Sequence, residues 1–152
     1  MDVYEAIEKR KSIRKFRPDP VPEDVLKKVL YAGTLAPNAF NTEPWEFIII
    51  KDQKIKDQIA KMREKIPRQK EAIITAPLLI GVCYDNKLGN ESLASAYTCI
   101  ENILLALTSE GLGSVILTFK GRKIKELLRI PDNIEIACLI PVGYPAEVPE
   151  NR

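Results

Sequence analysis

Apolar residues recur along this chain in two rhythms, and each rhythm predicts one type of element. An i, i+3, i+4 spacing, or a long segment between helix breakers, predicts a helix. Short runs of consecutive apolar residues predict buried strands. The predicted helices cover 2–10, 22–33, 53–65, 91–110 and 121–129. The predicted strands cover 47–50, 78–84, 114–119 and 134–142.

Particular residues set the limits and the surroundings of these elements. Gly33 is expected to stop the second helix, and Pro67 is expected to break the third. The run 47–50 is rich in isoleucine, which predicts a strand buried on both faces. The helix over 91–110 is strongly apolar in its second half, so it is expected in the middle of the fold or at a dimer interface. Strands separated by helices predict an α+β or α/β domain with three layers.

Length and composition are those of an ordinary globular domain. The 152 residues favour a single domain over 1–152, and contents of 45% hydrophobic and 29% charged residues argue against a membrane or disordered protein. No apolar run approaches the roughly 20 residues that a transmembrane helix needs. The first residues are acidic and amphipathic and do not form a secretory signal, so a cytoplasmic location is expected. The net charge of +2 does not by itself indicate nucleic-acid binding.

The residue types that are missing restrict the chemistry. The chain has no histidine, which excludes Ser-His-Asp and Cys-His hydrolases and the usual histidine-rich zinc sites. Its three cysteines are an odd number, form no CxxC pair and lie among apolar residues, so they are interpreted as small core residues. Carboxylates, tyrosine, lysine, backbone dipoles or a bound cofactor must therefore carry any chemistry.

The main functional signal is a basic segment, residues 9–17, in which six of nine residues are basic. Arg10, Ser12 and Arg14 alternate within it, and alternation in an extended segment places all three on one side. Two guanidiniums and a hydroxyl are suitable donors to a phosphate. Two alternatives to a phosphate site stay open. The segment could be a solvated charged face or a nucleic-acid patch, and the lack of interleaved aromatic residues argues against the nucleic-acid patch.

Two further segments carry weaker signals. The loop 36–45 contains Asn38 and Asn41, whose amides offer the paired donors and acceptors needed at the imide edge of a flavin ring. The alternative is an ordinary turn with Asn and Pro in their usual roles. Residues 111–114, Gly-Leu-Gly-Ser, do not match GxGxxG, so they support no dinucleotide-binding fingerprint. Glycines after a helix are more often a helix cap than a ligand cradle.

Taken in order, these segments resemble the nitroreductase family of flavoproteins. The matching segments, which span nearly the whole chain, are 4–7, 10–16, 36–41, 44–47, 101–106, 111–114 and 143–147. The resemblance implies an α+β fold of three layers, in which helices flank a central, mostly antiparallel or mixed β-sheet. It also places the long central helix at a dimer interface.

The same resemblance implies a cofactor, FMN, and the residues around it. The FMN phosphate and ribityl chain would be bound by Arg10, Lys11, Ser12 and Arg14. In a homodimer with FMN at the subunit interface, the partner's loop would reach the flavin through Pro37, Asn38, Ala39 and Asn41. The isoalloxazine would lie beside Ile116, Leu117 and Thr118, with a backbone amide near its N5 atom.

The implied activity is oxidoreduction. FMN takes hydride from NADH or NADPH and then reduces a small-molecule electron acceptor, typically a nitroaromatic or a quinone. The flavin carries the chemistry, while the protein supplies orientation and electrostatics. Neither nucleic acid nor a membrane is implied as a partner. The alternative is a flavin-binding or redox-sensing module without turnover of its own.

Three departures from the family pattern bear on this site. Asn38 stands where a serine is common, and Glu43 stands where a glutamine is common. A carboxylate near a reduced, anionic flavin opposes reduction. Family members usually continue past 143–147 with a tail that supplies basic phosphate ligands, and here only Arg152 could play that part. Residues 10–14 are therefore expected to dominate flavin retention.

Overall fold

The computed structural model describes residues 1–151, which form six α-helices and four β-strands. The helices are α1 (Val3–Lys9), α2 (Glu23–Thr34), α3 (Gln53–Lys61), α4 (Pro67–Thr75), α5 (Asn90–Ser109) and α6 (Arg122–Leu127). The strands are β1 (Trp45–Ile50), β2 (Leu78–Asp85), β3 (Gly113–Ser114) and β4 (Ile134–Gly143). Arg152, the residue to which the sequence assigns the tail's basic ligand, lies outside the described residues.

The four strands pair antiparallel in the order β1-β2-β4-β3. β2 and β4 form the centre of the sheet, with Leu78 opposite Val142 and a bulge after Val82. Side chains alternate along β2, so Ile80 and Val82 pack toward α2 and α5, whereas Leu79 packs toward α3, α4 and α6. Helices therefore cover both faces of one sheet, and the predicted α+β fold of three layers is confirmed.

Side-chain capping explains where two of the helices begin. The Asp2 carboxylate accepts a hydrogen bond from the Glu5 backbone N–H at 2.9 Å, and the Glu5 carboxylate accepts one from Asp2 N–H at 3.0 Å. This reciprocal capping box starts α1. Asp52 caps α3 in a similar way, by accepting from Lys54 N–H at 2.8 Å.

Among residues 1–151, no helix combines the length and apolar character needed to span a bilayer.

Gly33 has a different role from the predicted helix stop. The helix α2 continues to Thr34, and Gly33 faces α5 at close range. A Cβ atom at position 33 would lie 2.8 Å from Cγ1 of Ile103, so the missing side chain allows α2 and α5 to approach each other. The stop prediction was wrong because a helix-to-helix contact, rather than a cap, requires the glycine.

Two predicted elements have different lengths in the structure. The third helix ends at Lys61, and Pro67 does more than break it, because Pro67 is the first residue of a separate helix, α4. Proline is well suited to that position, where the backbone N–H has no helical partner. The predicted strand over 114–119 is limited to β3, after which only Leu117 pairs with β4, through Leu139.

The strand predicted over 47–50 begins earlier, at Trp45, and is not buried on both faces. β1 lies at the edge of the sheet and pairs only with β2, which leaves Ile48 and Ile49 half-buried. An isoleucine-rich run does not distinguish an edge strand from a central one, because its neighbours in the sheet come from distant parts of the chain.

The three cysteines lie in the core, as the sequence predicted. Cys83, Cys99 and Cys138 are all buried and none is in a disulfide. Burial raises the pKa of Cys83 to about 11 and the pKa values of Cys99 and Cys138 to about 12. These thiols stay protonated near neutral pH and are poor nucleophiles.

Candidate functional site

The basic segment leaves α1 and runs along the edge of the sheet. Arg10 is the C-terminal cap of α1, and from there the backbone extends beside β3. Ser12 forms a parallel bridge with Ser114, and Ile13 N–H donates to the Ser114 carbonyl at 2.9 Å. The Ile13 side chain is buried against Gly113, where a Cβ atom would lie only 2.8 Å from Ile13 Cγ1. Residues 12–14 are therefore fixed to the sheet by both backbone and side chain.

Side chains of this segment point alternately to two cavities. Ser12 and Arg14 line a cavity of about 490 Å³, as the alternation in the sequence predicted for them. Lys11 and Ile13 line a second cavity of about 570 Å³, which is adjacent to the first because Glu147 and Pro149 line both. The Lys11 ammonium donates to the Pro149 carbonyl at 3.0 Å. The structure thus brings Ser12 and Arg14 together and places Lys11 in the adjacent cavity. The predicted alternation is wrong for Arg10, which lines neither cavity because it is the C-terminal cap of α1 and precedes the extended segment.

A second basic residue, Arg68, lines the cavity of about 490 Å³ together with Arg14 and Ser12. Arg68 follows Pro67 in the first turn of α4, where the partial positive charge of the helix N-terminus adds to that of the side chain. The sequence pattern does not single out Arg68, because a proline after a helical segment predicts a helix break at Pro67. The signal that could have found it is the preference of proline for the first position of a helix.

Two carboxylates share this cavity with the basic residues. Glu147 and Glu150, from the segment after β4, line it together with Arg14 and Arg68. The Glu147 Oε2 atom accepts a hydrogen bond from the Arg14 backbone N–H at 2.8 Å. The formal charges of these four side chains cancel. An anion that entered the cavity would therefore be attracted by the two guanidiniums and repelled by the two carboxylates.

The same sheet edge continues beyond β3 with unpaired backbone donors. Leu117 N–H donates to the Leu139 carbonyl and Leu139 N–H donates to the Leu117 carbonyl, both at 2.9 Å. Because successive residues of an extended segment direct their backbone groups to opposite sides, Ile116 and Thr118 point away from β4. Within residues 1–151, neither the Ile116 nor the Thr118 N–H has an acceptor. Two backbone donors therefore follow the basic segment along one edge.

The side chains of Ile116, Leu117 and Thr118, which are predicted to lie beside the isoalloxazine, also point in different directions. Leu117 is buried in the core on the α3, α4 and α6 side of the sheet. Ile116 is half-buried on the other face, and the Thr118 side chain is exposed. A ligand at this edge could reach Ile116 and Thr118 directly, whereas the Leu117 side chain faces the protein interior.

The Asn- and Pro-containing loop is attached to α5 by a row of polar side chains. Ser95 Oγ accepts from Ala39 N–H at 3.0 Å, and Thr98 Oγ1 donates to the Pro37 carbonyl at 2.7 Å. One turn further, Asn102 Nδ2 donates to the Ala32 carbonyl at 3.0 Å. Positions 95, 98 and 102 share one helix face. Two of these hydrogen bonds fix the loop that carries the predicted site residues, and the third fixes the end of α2 before it.

Within the loop, Asn38 uses its amide to hold the turn. Its Oδ1 accepts from Glu43 N–H at 2.7 Å, and its Nδ2 donates to the Ala36 carbonyl at 3.2 Å. Phe40, Asn41 and Glu43 have positive φ angles of 52°, 52° and 47°, which are rare for residues with side chains. All three are exposed, and Phe40 retains 84% of its accessible surface.

The loop and the basic segment lie at opposite ends of α5. The loop is bound at Ser95 and Thr98, whereas the cavity beside Lys11 reaches Thr108 in the last turn. A rise of 1.5 Å per residue separates positions 95 and 108 by roughly 20 Å. One copy of the chain therefore does not bring these two predicted parts of the site together.

Comparison with known proteins identifies the relatives of this chain. The model of the nitroreductase family matches residues 7–72 and 64–144. The chain belongs to the nitroreductase family. A protein of Methanothermobacter thermautotrophicus, provisionally named an NADH dehydrogenase/NAD(P)H nitroreductase, is 36% identical over 160 residues, which cover 100% of this chain and 82% of that protein.

Solved structures of nitroreductase relatives have the same fold. A nitroreductase family protein from Clostridium novyi NT superposes with a TM-score of 0.91 at 34% identity, covering 100% of this chain and 89% of that one. An iodotyrosine deiodinase bound to FMN and 3-iodo-L-tyrosine superposes with a TM-score of 0.86 at 27% identity, covering 99% and 96%. The family and the oxidoreductase class that the sequence predicted are confirmed.

Proposed function

We propose that this chain is an FMN-dependent oxidoreductase that uses NADH or NADPH to reduce nitroaromatic, quinone or related conjugated acceptors. When bound, FMN supplies the redox chemistry by accepting hydride from the nicotinamide and passing electrons to the acceptor. The FMN in the deiodinase structure and the NAD(P)H in the name of the Methanothermobacter thermautotrophicus relative support this choice of cofactors. The cytoplasmic location and the single domain over 1–152 stay predictions.

The main support for this function is the order of hydrogen-bond donors along one edge of the sheet. Ser12 and Arg14 come first, and the free N–H groups of Ile116 and Thr118 follow. From Ser114, which is bridged to Ser12, to Thr118 the extended chain covers about 13 Å at 3.3 Å per residue. A phosphate at the first end and a flavin ring at the second would be joined by the ribityl chain between them.

The residues fit FMN at both ends of this edge. Arg14, Arg68 and the Ser12 hydroxyl would hold the phosphate, and the guanidiniums would form charge-assisted bonds to its oxygens. The N–H groups of Ile116 and Thr118 would donate to the ring edge. The two carboxylates that line the phosphate cavity weaken this fit, because they oppose the entry of a dianion. Arg10 and Lys11 stay predicted phosphate ligands.

The second part of the proposal is a homodimer with FMN at the subunit interface. The loop with Pro37, Asn38, Ala39 and Asn41 lies about 20 Å from the basic segment along α5. A second copy in antiparallel orientation would place its loop beside the first copy's sheet edge. The exposed side chain of Phe40 would then be covered by the partner.

The deciding experiment is a visible absorbance spectrum of the purified protein, reconstituted with FMN, before and after NADH or NADPH is added without oxygen. The proposal expects a yellow protein whose flavin absorbance is bleached within seconds and recovers when a nitroaromatic or quinone is added. A colourless protein that takes up no FMN contradicts it. Flavin that binds but is not bleached would instead support the flavin-binding or redox-sensing module.

Adding 3-iodo-L-tyrosine as a further acceptor tests whether the likeness to the deiodinase extends to its substrate.

A further inference from the structure

Arg63, between α3 and α4, binds the segment that carries the free sheet-edge donors. Its guanidinium Nη2 donates to the Thr118 carbonyl at 2.7 Å. The guanidinium carbon lies 3.7 Å from the centre of the Phe119 ring, in a cation–π stack. Burial lowers the pKa of Arg63, but an arginine stays protonated at neutral pH in proteins. A charged group thus lies directly against the backbone after β3.

This contact completes the fixation of Thr118. On the N-terminal side, Leu117 is held by its two hydrogen bonds to Leu139 of β4. On the C-terminal side, the Thr118 carbonyl is held by Arg63 and the Phe119 ring is buried under the guanidinium. Beyond Leu117 no ladder with β4 continues, so Arg63 takes the place of strand pairing there.

Arg63 also connects this segment to α4. Its Nε donates to Gln69 Oε1 at 2.9 Å, and Gln69 follows Arg68 in the first turn of α4. The remaining nitrogen, Nη1, donates to the Met62 carbonyl at 3.3 Å. A single guanidinium therefore contacts both the turn that carries Arg68 and the residues that carry the free N–H groups.

We propose that Arg63 is a positioning residue for the isoalloxazine end of the flavin site. It holds the Thr118 carbonyl and the Phe119 ring so that the N–H groups of Ile116 and Thr118 stay aligned along the sheet edge. This inference rests on the proposed function. It assigns Arg63 to the ring rather than to the phosphate, because the guanidinium lies against Thr118 and Phe119 and does not line the predicted phosphate cavity.

Binding of two flavins separates ring contacts from phosphate contacts. FMN and riboflavin share the ring, and only FMN has the phosphate. We expect Arg63→Met to lower the affinities for FMN and riboflavin by a similar factor, on the order of tenfold. This factor corresponds to a loss of about 1.4 kcal/mol of binding free energy. Arg14→Ala should weaken FMN alone. Arg122→Met is the matched control, since Arg122 is exposed on α6, and it should change neither affinity. Fluorescence quenching of each flavin on titration with protein measures these constants.

A second measurement uses the flavin-free protein. Hydrogen exchange at the amides of Leu117 and Leu139, which donate to each other's carbonyls, should be faster in Arg63→Met than in Arg122→Met. Exchange in the centre of β2 should be unchanged in both. Arg63→Lys keeps the charge and loses the planar fork, so its flavin affinities should fall between those of wild type and Arg63→Met. If Arg63→Met does not fold, the affinities and exchange rates of Arg63→Lys decide the question.

The outcomes distinguish this inference from the proposed function. A wild-type protein that binds no FMN contradicts the proposed function itself. A wild-type protein that binds FMN while Arg63→Met behaves like Arg122→Met overturns the role of Arg63 alone. Weakening of FMN with unchanged riboflavin affinity also overturns it, because that result would assign Arg63 to the phosphate.

Discussion

The carboxylate of Glu147 accepts a hydrogen bond from the backbone N–H of Arg14, with 2.8 Å between Oε2 and the nitrogen. This bond joins the segment after β4 to the basic segment, and it places a negative charge on the wall of the predicted phosphate cavity. The same interaction thus has two opposite effects. It fixes the Arg14 backbone, and it repels the anion that Arg14 is expected to bind.

Glu147→Gln should separate these two effects. The glutamine carbonyl can still accept from Arg14 N–H, while the charge is removed. We expect FMN to bind more tightly, by a factor of about 1.5 to five, which corresponds to a solvent-screened charge interaction of about 0.2–1 kcal/mol. The affinity for riboflavin should not change. Fluorescence titrations at low and moderate salt measure the effect, which should shrink as salt increases.

The matched control for Glu147 is Glu126→Gln. Glu126 is exposed on α6 and lines neither of the two cavities beside the basic segment. The same loss of one charge there should leave FMN affinity nearly unchanged. Equal gains in both variants would mean that net charge, rather than the position of Glu147, controls binding.

Arg14→Ala should weaken FMN binding much more than Lys15→Ala does. Arg14 lines the cavity beside Ser12, whereas Lys15 is exposed and follows it in the chain. A charge-assisted hydrogen bond contributes about 1.5–3 kcal/mol, which corresponds to a rise in Kd of roughly 10- to 150-fold. Equal affinities for the two variants would contradict the assignment of Arg14 as a phosphate ligand.

Arg68→Ala tests the basic residue that the structure adds to this cavity. We expect it to raise the Kd for FMN in the same direction as Arg14→Ala and to leave riboflavin affinity unchanged, because Arg68 lines only the predicted phosphate end. Lys65→Ala is a suitable control, since Lys65 is exposed just before α4. An Arg68→Ala protein with wild-type FMN affinity would restrict the phosphate site to Ser12 and Arg14.

Ser95→Ala should destabilise the chain and loosen the loop before β1. The Ser95 hydroxyl is buried, accepts from Ala39 N–H and donates to the Glu91 carbonyl at 2.8 Å. Removing it leaves the Ala39 N–H without its acceptor, which costs about 1–3 kcal/mol of folding free energy. Chemical denaturation measures the loss, and Ser109→Ala, at the exposed end of α5, provides the control. Equal stabilities of the two variants would show that this hydrogen bond does not hold the loop.

Sequence reasoning reached the fold and the position of Arg14 because both depend on local patterns. The apolar run of β2 and the Arg-x-Ser-x-Arg alternation are each contained in a few consecutive residues. Arg63 and Arg68 could not be reached in that way. Their roles depend on Thr118, Ser12 and other residues that are distant along the chain and meet only in the folded protein.

Asn38 and Gly33 show a second limit of local patterns. The sequence allowed Asn38 to be either a flavin ligand or a turn residue. Its two hydrogen bonds to Ala36 and Glu43 give it a role in the turn, and its contact with a flavin stays a prediction. Gly33 had the expected position for a helix cap, yet its contact with Ile103 explains it. Asparagine and glycine can each have several structural roles, and only the residues that they contact in the folded protein distinguish these roles.

A mixed dimer can test whether the loop of one subunit completes the site of the other. In this test, Arg14→Ala disables the basic segment and Phe40→Asp places a charge at the loop tip. Phe40 is 84% exposed, so Asp should not disturb the fold of the single chain, and Asp tolerates the positive φ angle better than most residues. Each variant alone should bind FMN weakly.

The two variants are then co-expressed and purified through different affinity tags. The mixed dimer should regain tight binding at one FMN per dimer, because one of its two sites combines an intact segment with an intact loop. If segment and loop act within one chain, both sites of the mixed dimer are defective and no tight binding returns. A protein that stays monomeric in sedimentation velocity, with or without FMN, would contradict the dimer directly.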